Sequence, residues 1–167
     1  MKFRVFGAGL CGLALFVFPA MSQANKLSKA DQQFLTMAAE TNMTEAHIGQ
    51  MAESQANSQA AKDFGKQLDQ DHTAAYTELL QLAQKEGDDI PRGINTRRNS
   101  TITSLSSMKG KAFDRAFARD EAMDHQRALA AFQREADHGT DPDVKAYAAK
   151  QISTMKSHLD MAKGLEK

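Results

Sequence analysis

The sequence predicts an all-α protein, built as a four-helix bundle with a long connection between its second and third helices. Four segments of the 167-residue chain repeat apolar residues at the period of an α-helix, and no segment sustains the alternation of a strand. Glycine and proline are few, with 10 and 3 residues, which favours helices over strands and turns. Four amphipathic helices joined by two short turns and one long connection indicate a bundle.

The N-terminus has the three parts of a secretory signal peptide. Two positive charges, Lys2 and Arg4, precede an apolar run over residues 5–19, and small residues follow at positions 22 and 24. This pattern predicts that residues 1–24 are removed, that the mature domain is 25–167, and that a bacterial host would place it in the periplasm. Association with the outer membrane stays open. An apolar run of about 15 residues is short for a membrane span, so none is expected after cleavage; an uncleaved anchor is the alternative.

The first two helices are predicted at about residues 29–56 and 59–86. Ser58 is a preferred residue type for capping the second helix, and Gly87 ends that helix as a terminal glycine does. The inward-facing stripes consist of Phe34, Ala38, Ala52 and Ala56 in the first helix, and of Ala61, Phe64, Leu68, Ala75, Leu79 and Leu82 in the second.

Residues 88–110 are predicted to form the long connection. Pro91, Gly93 and Gly110 interrupt this region, and serine and threonine are dense in its second half. Its few apolar residues suggest a single helical turn around Leu105. The sequence leaves open whether the connection crosses the length of the bundle or folds beside one end.

The last two helices are predicted at about residues 111–138 and 142–163. Gly139 ends the third, and Asp141 followed by Pro142 is a favourable start for the fourth. Their stripes consist of Phe113, Phe117, Ala128, Ala131 and Phe132 in the third helix, and of Val144, Ala148, Ile152, Met155, Leu159 and Ala162 in the fourth.

Six ionisable residues interrupt these stripes and form the candidate site. Most are spaced three, four or seven residues from apolar members of their own stripe, so their side chains are expected to project toward the bundle axis. One of them, His125, is placed on the flank of its stripe, whereas His47 is expected to face solvent. The six candidates are Glu45 in the first helix, His72 in the second, Glu121, Asp124 and His125 in the third, and His158 in the fourth.

The candidates also lie at one height, because each is about 12 to 19 residues from a short turn at about 1.5 Å per residue. Buried ionisable groups are costly unless they are paired or bound to metal. Carboxylates and imidazoles in a bundle core suit iron, manganese or zinc. A buried carboxylate–imidazole network without metal stays open as the alternative, and a haem b held by Met155 and His158 is a third possibility.

The charge balance argues against one class of partner. The chain has 21 basic and 21 acidic residues and a formal charge of zero, whereas nucleic-acid binding through bulk charge needs a basic surface. No nucleophile–base arrangement, phosphate-binding loop or dinucleotide fingerprint stands out. The sequence therefore leaves catalysis undecided and predicts no substrate or particular protein partner.

Several short motifs carry a resemblance to a known family. They are Asp31-Gln32-Gln33-Phe34-Leu35, Asp71-His72-Thr73, Phe113-Asp114, Asp124-His125 and His158-Leu159-Asp160-Met161-Ala162. Over residues 29–164 the chain resembles the bacterial domain of unknown function 4142, often labelled a predicted outer-membrane protein. The resemblance implies a ferritin-like bundle and export, but no activity. The chain lacks the two inward Glu-x-x-His motifs of di-iron proteins, which weakens a ferroxidase hypothesis.

Two functions compete at this point. The first is a periplasmic metal-binding bundle whose ligands come from the six candidates. The second is a non-catalytic structural or interaction bundle of the cell envelope, in which the polar core sets the register of the helices.

Overall fold

The structure, a computed structural model, describes residues 27–166 and contains five α-helices. The predicted all-α class is confirmed, and no strand occurs within this range. The predicted signal peptide, residues 1–24, lies outside the described residues. The helices are α1 (Lys29–Gln55), α2 (Gln59–Glu86), α3 (Thr96–Ser106), α4 (Gly110–His138) and α5 (Pro142–Leu165).

The helices begin and end where local sequence signals place them. Ser58 caps α2 by accepting a hydrogen bond from the N–H of Ala61 at 3.2 Å, and Gly87 ends α2 in the left-handed region, with φ 68°. Asp141 caps α5 by accepting from the N–H groups of Asp143 and Val144 at 2.9 and 3.0 Å. The predicted bounds of the four long helices are therefore close to the observed ones.

The long connection contains a whole helix, so the prediction of four helices with a single turn between the second and third was wrong. α3 has 11 residues. Asn95 caps it by accepting from the N–H of Arg98 at 3.0 Å, and the side chain of Leu105 is completely buried. Arg98 also donates to Thr41 of α1 at 2.8 Å. Contacts with the bundle thus stabilise a segment whose own sequence is only weakly helical.

The connection crosses the length of the bundle. Near the start of α4, Asp114 accepts hydrogen bonds from the backbone N–H groups of Asn57 and Ser58, at 2.7 and 2.9 Å, in the α1–α2 turn. At the opposite end, the N–H of Thr140 donates to Asp31 of α1 at 3.0 Å. α4 therefore runs antiparallel to α1, and α3 packs against both of them. The long helices form a ring in the order α1, α2, α5, α4.

The core has two apolar clusters, one toward each end of the bundle, with a polar layer between them. One cluster centres on Phe34, Phe132 and Tyr147, and the other on Phe64, Phe113 and Phe117. The layer between them contains buried polar side chains from all four long helices, namely Asn42, Glu45, His72, Glu121, His125 and His158.

Candidate metal centre

Five of the six predicted site residues meet in this polar layer. Their side chains form two overlapping groups whose candidate ligand atoms lie within 4.8 Å of one another. One group consists of three imidazoles, and the other consists of two carboxyls and one imidazole. His125 belongs to both groups. The members are His72, His125 and His158 in the first and Glu45, Glu121 and His125 in the second.

The three imidazoles come from three different helices and form a compact triangle. Their ring centroids are 5.6 Å apart for His72 and His125, 5.3 Å for His72 and His158, and 5.1 Å for His125 and His158. Nε2 of His125 lies 3.4 Å from Nε2 of His72 and 3.2 Å from Nδ1 of His158. One nitrogen of each ring therefore faces a common centre.

The outer nitrogen of His72 faces an oxygen whose identity can be deduced. The hydroxyl of Tyr147 donates to the main-chain oxygen of Ala75 at 3.3 Å, so that hydroxyl must accept from the amide nitrogen of Asn42 at 3.0 Å. This orientation leaves Oδ1 of Asn42 facing Nδ1 of His72 at 2.9 Å. Because Oδ1 can only accept, Nδ1 of His72 carries the proton.

The outer nitrogens of the other two rings also face acceptors. Nε2 of His158 lies 2.9 Å from Oδ2 of Asp71. Nδ1 of His125 lies 3.0 Å from the main-chain oxygen of Glu121 and 3.3 Å from Oε2 of the same residue. Carboxylate and carbonyl oxygens accept and do not donate, so both of these nitrogens are protonated as well.

Each neutral imidazole has one N–H, and in His72 and His158 the outer nitrogen uses it. Lone pairs of His72 and His158 therefore face Nε2 of His125, and the three nitrogens are separated by about the spacing of ligands around one ion. In a tetrahedral zinc site with metal–nitrogen distances of about 2.0–2.1 Å, ligand nitrogens are about 3.3 Å apart. Outer oxygens that orient metal-bound imidazoles in this way are typical of metal sites.

Burial and the neighbouring rings disfavour an extra proton on His72 and on His158. Burial, together with repulsion from His125, lowers the pKa of His158 to about 4. Burial and the two neighbouring rings lower the pKa of His72 well below its usual value. At neutral pH these rings are therefore unprotonated at their inner nitrogens, which is the form that binds metal.

The two carboxyls lie on the other side of the His125 ring. Glu45 and Glu121 are each 1% exposed. Burial raises the pKa of Glu121 to about 8. Burial and the adjacent charge of Glu121 raise the pKa of Glu45 well above its usual value. Without a bound cation, the pair is therefore protonated at least in part at neutral pH.

Comparison with known proteins identifies the family. The family model for a domain of unknown function, DUF4142, matches residues 17–165. The chain belongs to this family. No curated protein sequence matches it significantly. A solved structure, a DUF305 fragment from Deinococcus radiodurans, has the same fold with a TM-score of 0.74 and 13% sequence identity, covering 85% of this chain and 98% of that fragment.

One of the candidates in this DUF4142 chain lies outside the cluster. The prediction that Asp124 projects inward was wrong, because its side chain is 27% exposed and pairs with Arg127. At about 100° per residue, Asp124 and His125 are rotated to opposite sides of Glu121. The side chain of His125 is 2% exposed and belongs to both groups, so the residue predicted on the flank is the central one.

Three further residues that orient side chains of the DUF4142 site were not predicted from the sequence. Asn42 and Tyr147 orient His72, and Asp71 orients His158. Asn42 had a signal, because it lies three residues before Glu45 on the same face of α1 and is an amide in an apolar stripe. Asp71 lay at the edge of its stripe. The role of Tyr147 depends on its hydroxyl reaching across to α1 and α2, which no spacing within α5 reveals.

Proposed function

We propose that this DUF4142 protein is an exported, ferritin-like bundle that binds one transition-metal ion through His72, His125 and His158. The observation that carries this proposal is the convergence of one nitrogen from each of three rings whose other nitrogens face oxygen acceptors. A metal ion bonds all three nitrogens at this spacing, whereas a proton on Nε2 of His125 would be shared between two acceptors, His72 and His158.

The all-nitrogen ligand set favours zinc among the metals that the sequence suggested. Imidazole suits zinc, copper, nickel and iron, whereas manganese prefers carboxylate and water oxygens. The three rings are only 1–3% exposed. This burial supports binding and handling of an ion over turnover of a substrate, which would need an accessible coordination position.

Zinc is expected to raise the stability of the protein. At free zinc of about 100 times Kd, binding to the folded state alone adds about 2.7 kcal/mol, or roughly 8 °C in Tm for a domain of this size. The measurement is thermal unfolding with and without zinc at pH 7.5, together with calorimetric titration. The rise should shrink as the pH falls toward about 4, because protons then compete for the inner nitrogen of His158.

Two variants make this experiment specific. His72→Ala removes one of the three ligands and should abolish the zinc-dependent rise. His47→Ala removes an exposed histidine of α1 and should leave the rise unchanged. Should zinc leave the wild-type Tm unaltered, or should His72→Ala respond like the wild type, the metal hypothesis is wrong.

A structural role for the layer is the second candidate, and one observation favours it. The chain of contacts from His72 through Asn42 and Tyr147 to Ala75 joins α2, α1 and α5. Such a network sets the register of three helices whether or not metal is present. As the sole function, it predicts that zinc leaves the unfolding temperature unchanged.

The proposal of export rests on the N-terminal sequence pattern. Within residues 27–166, none of the helices has the length and apolar character needed to cross a bilayer. The crossover between two antiparallel helix pairs is the connectivity of ferritin-like bundles.

Mass spectrometry of the protein from its native envelope fraction is expected to give an N-terminus at Asn25. Recovery of the protein with residues 1–24 intact contradicts cleavage.

A further inference from the structure

The carboxyl pair has unmet bonding capacity that the three-histidine site does not use. Within the described part of the chain, neither oxygen of Glu45 accepts a hydrogen bond from a donor group, and Oε2 of Glu121 has only an ion-pair contact with Nδ1 of His125 at 3.3 Å. The N–H of His125 donates to the main-chain oxygen of Glu121. The two carboxyls bond to each other only through a shared proton, and their remaining bonding capacity is unusual because buried polar groups in folded proteins are nearly always fully bonded.

A cleft leads from the surface to Glu45. It has a volume of about 540 Å³ and lies between α1, α3 and α4, with Glu45 among its lining residues. The two arginines that line it have other partners, since Arg127 pairs with Asp124 and Arg98 donates to Thr41. The cleft therefore offers a route for water or an ion to Glu45, and neither of its two arginines pairs with that carboxyl.

We propose that Glu45 and Glu121 form a second cation site, distinct from the three histidines, which holds a divalent ion that prefers oxygen ligands, with Mn²⁺ as its representative. The two carboxylates would supply protein ligands, and water from the cleft would complete the coordination shell. Such ions are commonly held by one or two carboxylates and several waters.

The two sites differ in chemistry and lie on opposite edges of one ring. His125 directs Nε2 at the other histidines and its Nδ1–H at Glu121. The first site offers only nitrogen ligands and the second only oxygen ligands. We therefore expect zinc to bind at the histidines and manganese at the carboxylates. This second site uses different ligand atoms and does not depend on the function proposed for the histidines.

The test is a Mn²⁺ titration of the purified protein, already saturated with one equivalent of zinc, followed by electron paramagnetic resonance of free Mn²⁺. We expect one equivalent of Mn²⁺ to bind without displacing zinc. Glu45→Gln and Glu121→Gln, which keep side-chain shape, should each weaken Mn²⁺ binding at least tenfold and retain zinc. Circular dichroism of each variant checks that the helices are intact.

Two further variants separate the possible outcomes. Asp143→Asn alters an exposed acidic group near Glu86 and Asp141 and should leave Mn²⁺ binding unchanged. His72→Ala should lose zinc and retain Mn²⁺. Undiminished Mn²⁺ binding in folded Glu45→Gln, displacement of zinc by Mn²⁺, or no Mn²⁺ binding by the wild type overturns the second site. If the wild type binds Mn²⁺ but not zinc, only the histidine site is contradicted.

Discussion

Phe117→Ala is expected to lower the free energy of unfolding by about 3–5 kcal/mol, the usual range for removing a buried phenylalanine. The ring of Phe117 is completely buried. It stacks on Phe113 with centroids 5.6 Å apart and contacts Phe64 at 5.5 Å. Removing it leaves a cavity between α2 and α4 that the two remaining rings cannot fill. Urea unfolding followed by helical circular dichroism measures the change.

The matched control for this prediction is Met123→Ala on the same helix. Met123 is 46% exposed, so its truncation should change the free energy of unfolding by no more than about 0.5 kcal/mol. A loss below about 1 kcal/mol for Phe117→Ala would contradict the packing of this apolar cluster. Phe64, which contacts Phe117, also contacts the His158 ring edge-on at 5.9 Å. Zinc affinity is therefore a second measurement on the Phe117→Ala variant.

Gly65→Ala is expected to destabilise the bundle by about 1–3 kcal/mol, the usual range for overpacking a close contact. A Cβ atom at Gly65 would lie 2.6 Å from Cβ of Ala52 and 2.7 Å from the main-chain oxygen of Gly49. These atoms belong to α1 and cannot move without separating the two helices. Thermal and urea unfolding would detect the loss, although alanine is otherwise the better helix former.

Gly164→Ala provides the opposite case. Gly164 lies in α5, and a Cβ atom there has no neighbour within 4 Å. Helix propensity alone then acts, and it stabilises by up to about 1 kcal/mol. The two substitutions should therefore change stability in opposite directions. Equal effects at Gly65 and Gly164 would mean that α1 and α2 do not approach as closely as described.

The ends of the long helices could be predicted because their signals are local. Ser58, Gly87 and Asp141 act on backbone groups within a few residues of themselves, so their effect is the same in any fold. α3 shows the reverse case. Apart from its cap, Asn95, its stability comes from the burial of Leu105 and the hydrogen bond from Arg98 to α1, and these contacts join residues far apart in sequence.

Burial of the site could be predicted, but the arrangement of its atoms could not. Periodicity places Glu45, His72 and His158 on inner faces, because an ionisable residue between apolar ones shares their direction. Periodicity could not decide which of Asp124 and His125 faces the bundle axis. Adjacent residues differ by about 100°, so a small rotation of α4 exchanges the two.

By itself, the sequence determined a helical chain of four long amphipathic segments with charged and imidazole side chains buried at one height. Each of these properties follows from neighbours along one helix. The tertiary structure alone decided that the connection crosses the bundle, that Asn42 and Asp71 orient two of the histidines, and that the buried cluster divides into a nitrogen-rich and an oxygen-rich half. The physical reason is that a hydrogen bond depends on the relative position of two helices, to within a few tenths of an ångström, and periodicity within one helix carries no information about its partner.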